Sequence, residues 1–234
     1  MSWNPLYEQS YVPYSSNKHA CVVESKSGKC YAGVRIENIS YPLTIPAAQA
    51  ACAICLSEGE IPAKIYTEDP SSEQLDYWGK EFELEVIETN NPSQDKLEDL
   101  FHPSKKDFEV LPRLKTLLDN AVTPNSDFPV SAILFTEDGY FEGVNVEVSA
   151  WTHGICAERV AISKAFAAGR TEFTRLEVHT RKGEISSPCG ACRQVISELL
   201  PYHDIVLHHS DGTQSEHLSL DLLPFSFKSS ALKK

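Results

Sequence analysis

The chain reads as an α/β protein in tandem repeat, each copy laying helices against one mixed sheet. Three observations predict this. First, Gly33-Val34-Arg35-Ile36-Glu37 returns as Gly143-Val144-Asn145-Val146-Glu147. The offset that carries Gly33 to Gly143 also pairs Ser16 with Ser126, Ile45 with Ile155, Ala47 with Ala157, Ala51 with Ala161 and Gly59 with Gly169, without a gap. A fixed period marks a repeated structural unit. Second, the later copy carries strand, strand, helix, strand, helix and strand signals after an opening helix, the pattern of a layered α/β domain. Third, 234 residues with 41% hydrophobic content suffice for one large domain or two small ones. The tails pair more loosely: Leu97-Glu98-Asp99-Leu100 resembles Leu220-Asp221-Leu222-Leu223. We place the copies at 1–106 and 107–234, joined near Lys105 to Asp107, because Asn90 to Lys106 is polar and contains prolines.

Taken in order, the Ala-rich stretch Pro46 to Ser57 reads as a buried helix. It contains Cys52-Ala53-Ile54-Cys55, either a metal or redox pair or two small core residues. The second reading is preferred, because free Cys packs as a small hydrophobe and a four-cysteine zinc site needs its pairs ~15–20 residues apart. The next such pair is the distant Cys189/Cys192. In the second copy, Leu111, Leu114, Leu117, Leu118 and Ala121 recur at helical spacing over Phe108 to Ala121. Val130 to Phe135 and Tyr140 to Val146, separated by Glu137-Asp138-Gly139, form a hairpin signal. Cys156 to Ala168 is helical and ends at Gly169. Leu176 to Thr180 is a strand, Cys189 to Leu200 a helix stopped by Pro201, and Ile205 to His208 a further strand.

A net charge of −12, with the acidic residues spread along the chain, disfavours a nucleic-acid partner, which needs clustered Lys and Arg. No apolar run approaches the ~20 residues that cross a membrane. Met1 to Ser16 lacks the basic start and apolar stretch of a secretory signal. Seven cysteines, an odd number, point to free thiols or metal ligands in a reducing compartment, hence a cytoplasmic location.

The chemistry-bearing stretch runs from His153 to Gln194. Cys156-Ala157-Glu158 is followed by Pro188-Cys189-Gly190-Ala191-Cys192. Three thiolates suit a catalytic zinc, which keeps three protein ligands and one open position. A glutamate that is not a ligand can then shuttle protons. Both cysteine segments sit at helix starts, where free N–H groups favour thiolates. His153 would be a fourth ligand and would close such a site, so it reads as a loop residue. His208 and His209 have no ligand spacing with the cysteines.

A ligand-x-Glu followed by Pro-Cys-x-x-Cys is the signature of zinc nucleobase deaminases, and the segment resembles the cytidine deaminases. The resemblance covers the second copy and most of the first. It implies a three-layer α/β/α cytidine-deaminase-like fold, with one Zn2+ per chain on Cys156, Cys189 and Cys192. It also implies Glu158 as proton shuttle and Arg159 hydrogen-bonded to the ligand sulfurs, offsetting the negative charge of three thiolates. Asn145 and Glu147 would hold the ribose hydroxyls and Phe128 would stack on the pyrimidine. The Ala157 N–H would lie near the attacked carbon's oxygen, and the Ser187 carbonyl would receive the amino group.

The first copy departs from all this. Pro46 stands at the Cys156 position and Ala48 at Glu158, no Pro-Cys-x-x-Cys follows, and Lys18, Arg35 and Glu37 stand at the pocket positions. The second copy departs in one loop, where Val148-Ser149-Ala150-Trp151-Thr152-His153-Gly154 replaces the family's Asn-Ala-Ser-Tyr-Gly-Leu-Thr. The first copy keeps that pattern better, as Asn38-Ile39-Ser40-Tyr41-Pro42-Leu43-Thr44. Since such deaminases are typically tetramers of single domains, two such chains would form a homodimer, a pseudo-tetramer with two active sites. Tyr41 and Phe227 would then reach a neighbour's pocket. The expected activity is hydrolytic deamination of cytidine and deoxycytidine. A deaminase of another nucleoside or base, and a non-enzymatic zinc-stabilised scaffold, are the alternatives.

Overall fold

Val130–Phe135 is apolar except for Ser131, whose hydroxyl donates to the Leu114 carbonyl at 2.8 Å, because both its faces are covered. Ala132 and Leu134 join one buried cluster, while Ile133 joins a second with Leu114, Leu117, Tyr140 and Val144. A strand buried on both faces loses the period-2 alternation. This strand lies inside the larger of two sheets in the computed structural model, which describes residues 2–92, 96–104 and 108–228. The join expected at 105–107 lies outside the described residues.

The first half contains α1 (Asn4–Glu8), β1 (Ala20–Ser25), β2 (Cys30–Val34), α2 (Ala47–Ser57), β3 (Pro62–Thr67), α3 (Leu75–Glu81) and β4 (Glu85–Glu88). Its sheet has the order β2-β1-β3-β4, with β3 and β4 parallel and the other pairs antiparallel. The second half contains β5 (His102–Pro103), α4 (Val110–Leu117), β6 (Val130–Phe135), β7 (Gly139–Val144), α5 (Ala157–Ala167), β8 (Arg175–Thr180), α6 (Gly190–Leu199), β9 (Asp204–His208) and β10 (Gln214–Leu218). Its order is β10-β9-β8-β6-β7-β5, with β8 and β9 parallel. The core of the second sheet, β7-β6-β8-β9, thus repeats the first. Helix α4 covers one of its faces and α5 with α6 the other, giving the three α/β/α layers.

The repeat extends to single bonds. Ile36 bridges Ile45 as Val146 bridges Ile155. Gly59 and Gly169 end α2 and α5 at φ +74° and +71°, a left-handed conformation natural to glycine at a helix end. In both copies the next residue's N–H then turns back onto the helix: Glu60 onto the Cys55 carbonyl at 3.2 Å, Arg170 onto the Ala165 carbonyl at 2.8 Å.

The two halves meet through α2 and α5, which pack on each other and on the partner half's sheet. All 11 residues of α2 are buried, which is why it shows no polar face. Polar contacts across the junction are reciprocal. Arg159 Nη2 donates to the Leu43 carbonyl at 2.9 Å, and Gln49 Nε2 donates to the His153 carbonyl at 2.9 Å. The Ile39 N–H donates to Glu198 at 2.8 Å, and the Ser149 N–H donates to Glu81 at 2.8 Å. Arg159 and Gln49, His153 and Leu43, Ser149 and Ile39 are all partners at the offset of the repeat.

Three local expectations differ. The helix expected over Phe108 to Ala121 is α at Val110–Leu117 and a 3₁₀ turn at Leu118–Asn120, because Asp119 and Asn120 are exposed with no core to face. Strand β7 starts at Gly139 and stops at Val144, after which Val146 pairs with Ile155 instead. Strand β10, Gln-Ser-Glu-His-Leu, was not visible in the sequence; it is a polar edge strand.

Gly33 and Gly143 mark the closest helix–sheet approach. A Cβ on Gly143 would stand 2.2 Å from the Ala157 carbonyl oxygen, and one on Gly33 2.2 Å from the Ala51 nitrogen. Both obstacles are backbone, so neither can turn aside. Gly143→Ala and Gly33→Ala are each expected to cost ~3 kcal/mol, the upper end of ordinary overpacking. Urea unfolding should show this as a lowered midpoint at constant slope.

Candidate active site

Cys156 is the N-cap of α5 and Cys189 the N-cap of α6, so each thiol stands at a helix start. Cys192 follows one turn into α6 and is fully buried, and its N–H donates to Cys189 Sγ at 3.5 Å. The three sulfurs lie within 4.8 Å of one another, with Cys156 and Cys189 3.7 Å apart. Zn–S bonds of 2.3 Å in a tetrahedron put sulfurs about 3.8 Å apart, so the cluster fits a zinc ion. The sulfurs share protons unevenly. Hydrogen bonds from the Cys156 and Cys192 thiols, with backbone N–H groups, hold the Cys189 thiol far below its usual range. The same bonds hold Cys156 and Cys192 up as donors.

Glu158 lies in the first turn of α5, 3% exposed. Burial pushes its carboxyl up to about 7, reinforced by negative charge at Cys189. Above it opens a cavity of about 520 Å³. Its lining brings together Phe128, Asn145, Glu147, Cys156, Glu158, Ser187 and Cys189.

Each wall residue is held locally. Glu147 Oε2 accepts from the Asn125 and Ser126 N–H groups at 2.9 and 3.1 Å, and Oε1 accepts from the Ser126 hydroxyl. Asn145 Oδ1 accepts from the Val130 N–H at 2.8 Å and its Nδ2 donates to the Phe128 carbonyl at 3.0 Å. One amide hydrogen and one lone pair of Asn145 remain for a ligand. Ser187 Oγ accepts from Arg193 Nη2 at 2.6 Å, while Arg193 Nε donates to the Pro188 carbonyl at 2.9 Å. The arginine thereby braces the segment leading into Cys189.

Other residues singled out in the sequence are not part of this lining. Arg159 is buried and donates to the Leu43 carbonyl; its Nε finds no acceptor among the described residues. Ala157 is wholly buried at the helix start. Tyr41 is 85% exposed in a 3₁₀ turn and Phe227 is 52% exposed; neither lines this cavity. His153 stacks on Tyr77 with ring centroids 4.0 Å apart and stays outside the lining. The sequence did not single out Trp151, Ile185 or Thr180 as lining, nor Arg193 as a brace. Arg193 carries a signal, standing one helical turn after Cys189; the others carry none.

The corresponding place in the first half is filled. Glu37 keeps the same kind of bonding, to the Tyr14 and Ser15 N–H groups, both at 3.1 Å. Ser15 rather than the expected Ser16 therefore stands in the place of Ser126, so the copies are out of step by one residue before the first strand of the hairpin. Arg35, at the Asn145 position, pairs with Glu37 and Glu73. A cavity of only about 190 Å³ remains, with Pro46 and Ala47 in its wall.

Three thiols and a buried carboxylate at two helix starts, beneath one pocket, form the arrangement of zinc-dependent deaminases. Comparison with known proteins narrows the class. Two family models described as "Cytidine and deoxycytidylate deaminase zinc-binding region" match residues 104–208 and 6–67. A cytidine deaminase of Sporosarcina psychrophila is 38% identical over 124 residues, 51% of this chain and 89% of the relative. One from Halalkalibacterium halodurans is 36% identical over 111 residues, 47% of this chain and 84% of the relative. The crystal structure of a Burkholderia pseudomallei cytidine deaminase is 39% identical, with a TM-score of 0.47 over 50% of this chain and 94% of that one. The chain belongs to the cytidine deaminase family, whose matched region is a zinc-binding one.

Metal analysis of the purified protein is expected to give one zinc per chain. Cys192→Ser should release it, since the remaining two sulfurs do not make a three-ligand site. Two zincs per chain would contradict the filled pocket of the first half.

Proposed function

We propose that the chain hydrolyses cytidine and deoxycytidine to uridine and deoxyuridine, releasing ammonia, as one step of pyrimidine salvage. The observation that carries this is Glu158, buried beside three clustered thiols at the floor of the cavity. Cys156, Cys189 and Cys192 would hold the zinc. Bound there, zinc supplies Lewis acidity and lowers the pKa of a water towards ~7. Glu158 moves the protons. As the water oxygen bonds to C4 of the cytosine ring, one proton passes through Glu158 to N3. The second passes to the exocyclic amine, the C4–N bond breaks, ammonia leaves and C4=O forms. Phe128 offers an aromatic face to the base, Asn145 and Glu147 offer polar groups to the ribose, and Ser187 stands on the amino side. The Ala157 N–H, at the first position of α5, supports the oxygen at C4. Arg159, the residue after Glu158, contributes the positive charge that offsets the thiolates.

The lining also speaks to substrate class. It contains two carboxylates, Glu147 and Glu158, and no Lys, Arg or His. A phosphate would meet negative charge without a counter-ion, so the free nucleoside is the substrate rather than its monophosphate. We divide the protein into 1–106, non-catalytic, and 107–234, catalytic. Strand β5, at 102–103, already pairs with the second sheet. All seven cysteines are unpaired, which suits a reducing cytoplasm. No helix among the described residues is long and apolar enough to cross a membrane.

For assembly, we propose a homodimer in which Tyr41 and Phe227, both exposed, complete the partner's pocket. Light scattering should give twice the chain mass, and Tyr41→Ala should lower turnover at unchanged zinc. A fully active monomer would refute this.

The function is tested with cytidine, deoxycytidine, cytosine and cytidine monophosphate, measuring ammonia. Turnover is expected with the two nucleosides and not with the phosphate. Glu158→Ala should keep fold and zinc and lose at least 10²–10⁴-fold in kcat, the usual contribution of general acid–base groups. Retained activity would remove Glu158 from the mechanism.

A further inference from the structure

Trp151 lines the cavity yet is 67% exposed, so its own side chain has little to hold it. It sits in a single 3₁₀ turn, Trp151–His153, inside the loop that departs most from the family pattern. What fixes that loop comes from the other half of the chain. Helix α3 presents Tyr77 and Glu81 one turn apart. Glu81 accepts from the Ser149 N–H at 2.8 Å and, through its other oxygen, from the Ser149 hydroxyl. The Tyr77 hydroxyl accepts from the Ala150 N–H at 3.1 Å, and the Tyr77 ring stacks on His153 at 4.0 Å. Gln49 of α2 holds the His153 carbonyl. Both residues preceding Trp151, and the second residue after it, are therefore pinned by the half that has no thiol cluster.

We infer that Tyr77 and Glu81 are positioning residues for substrate binding, acting across the halves by fixing Ser149 to His153 so that Trp151 forms a wall of the pocket. The inference rests on the deaminase reading above and adds a role for the first half in forming the site within one chain. In sequence order, α3 stands where the second half places the cysteine-bearing α6. Glu81 of α3 grips the second half's loop as Glu198 of α6 grips the first half's. The first half has given up ligands on this helix and kept the grip. The loop sequence fits the helix it meets: Ser149 supplies a hydroxyl to Glu81, where the offset partner Ile39 supplies only its N–H.

The test uses the zinc-loaded full chain. Glu81→Ala and Tyr77→Ala are expected to raise KM for cytidine roughly tenfold with kcat within about twofold, the pattern of lost uniform binding. Glu81→Gln keeps an acceptor for the Ser149 N–H and should lie near the unmodified enzyme. The deciding measurement is a double-mutant cycle: in a Trp151→Ala background, Glu81→Ala should add no further rise in KM, because its effect passes through Trp151. Amide exchange at Ser149 and Ala150 should quicken in both Ala variants while α5 amides stay protected, which separates loop release from unfolding. Additive KM changes, or exchange at 149–150 as slow as in the unmodified chain, would overturn the inference. A zinc-loaded, unmodified chain without cytidine turnover would instead overturn the deaminase reading itself.

Discussion

The mutual burial of α2 and α5 is the constraint on which the rest of the structure depends. Helix α5 carries Cys156 at its cap and Glu158 in its first turn, and 10 of its 11 residues are buried. A helix buried all round needs a second apolar layer on the side away from its own sheet. Here α2 and the first sheet provide it. Without that layer Phe166, whose ring lies 5.3 Å from that of Tyr11 between centroids, would lose part of its cover. Glu158 lies in the first turn of this same helix, where burial raises its carboxyl to about 7. The first half is therefore a condition for the packing of the helix that carries these groups, whatever chemistry it has itself lost.

The reciprocal contacts show how one interface can serve two unequal halves. Each half offers a loop whose backbone groups the other half grips, through a glutamate on α3 or α6 and a long side chain on α2 or α5. The geometry is shared, with both long-side-chain contacts at 2.9 Å and both glutamate contacts at 2.8 Å. The chemistry is not. Arg159 is a cation within one residue of Glu158, whereas Gln49 is neutral and has no carboxylate beside it. An approximate two-fold arrangement can thus be kept by backbone acceptors, which are indifferent to the charge of their donor, while the side chains diverge.

Much of the fold was legible in the sequence because repetition is a strong signal. The fixed offset survived the loss of the first pocket, since Gly33, Ile36, Ile45, Ala47, Ala51 and Gly59 do packing and turning work in both copies. The cysteine and glutamate positions were legible because their spacing is unusual. What stayed hidden was set by the junction between halves. Nothing in Leu-Asp-Tyr-Trp-Gly-Lys-Glu announces that α3 grips a loop in the other copy, since the partner is a backbone N–H that almost every residue possesses. Trp151 and Ile185 look like exposed apolar residues until the fold brings them to one cavity. Arg159 was expected to face sulfur; its neighbour across the interface, the Leu43 carbonyl, could not be read from either copy alone.

The repeat also works as an internal control on residue roles. Glu147 and Glu37 are identical in type and share a bonding pattern: each carboxylate accepts two successive backbone N–H groups and a serine hydroxyl, and Glu37 adds an ion pair with Arg35. Yet only one of them borders an open pocket. The bonds they share fold the turn before the first strand, so a glutamate is needed at this position even where no ligand can enter. Glu147 therefore has a structural duty that precedes any contact with ribose. Asn145 differs: its counterpart Arg35 keeps the backbone bonds but none of the Asn145 side-chain contacts, and instead fills the space with a guanidinium held by Glu37 and Glu73. The positions that folding requires are those the copies hold in common. The positions we assign to chemistry, Asn145, Cys156, Glu158, Cys189 and Cys192, are those at which they part.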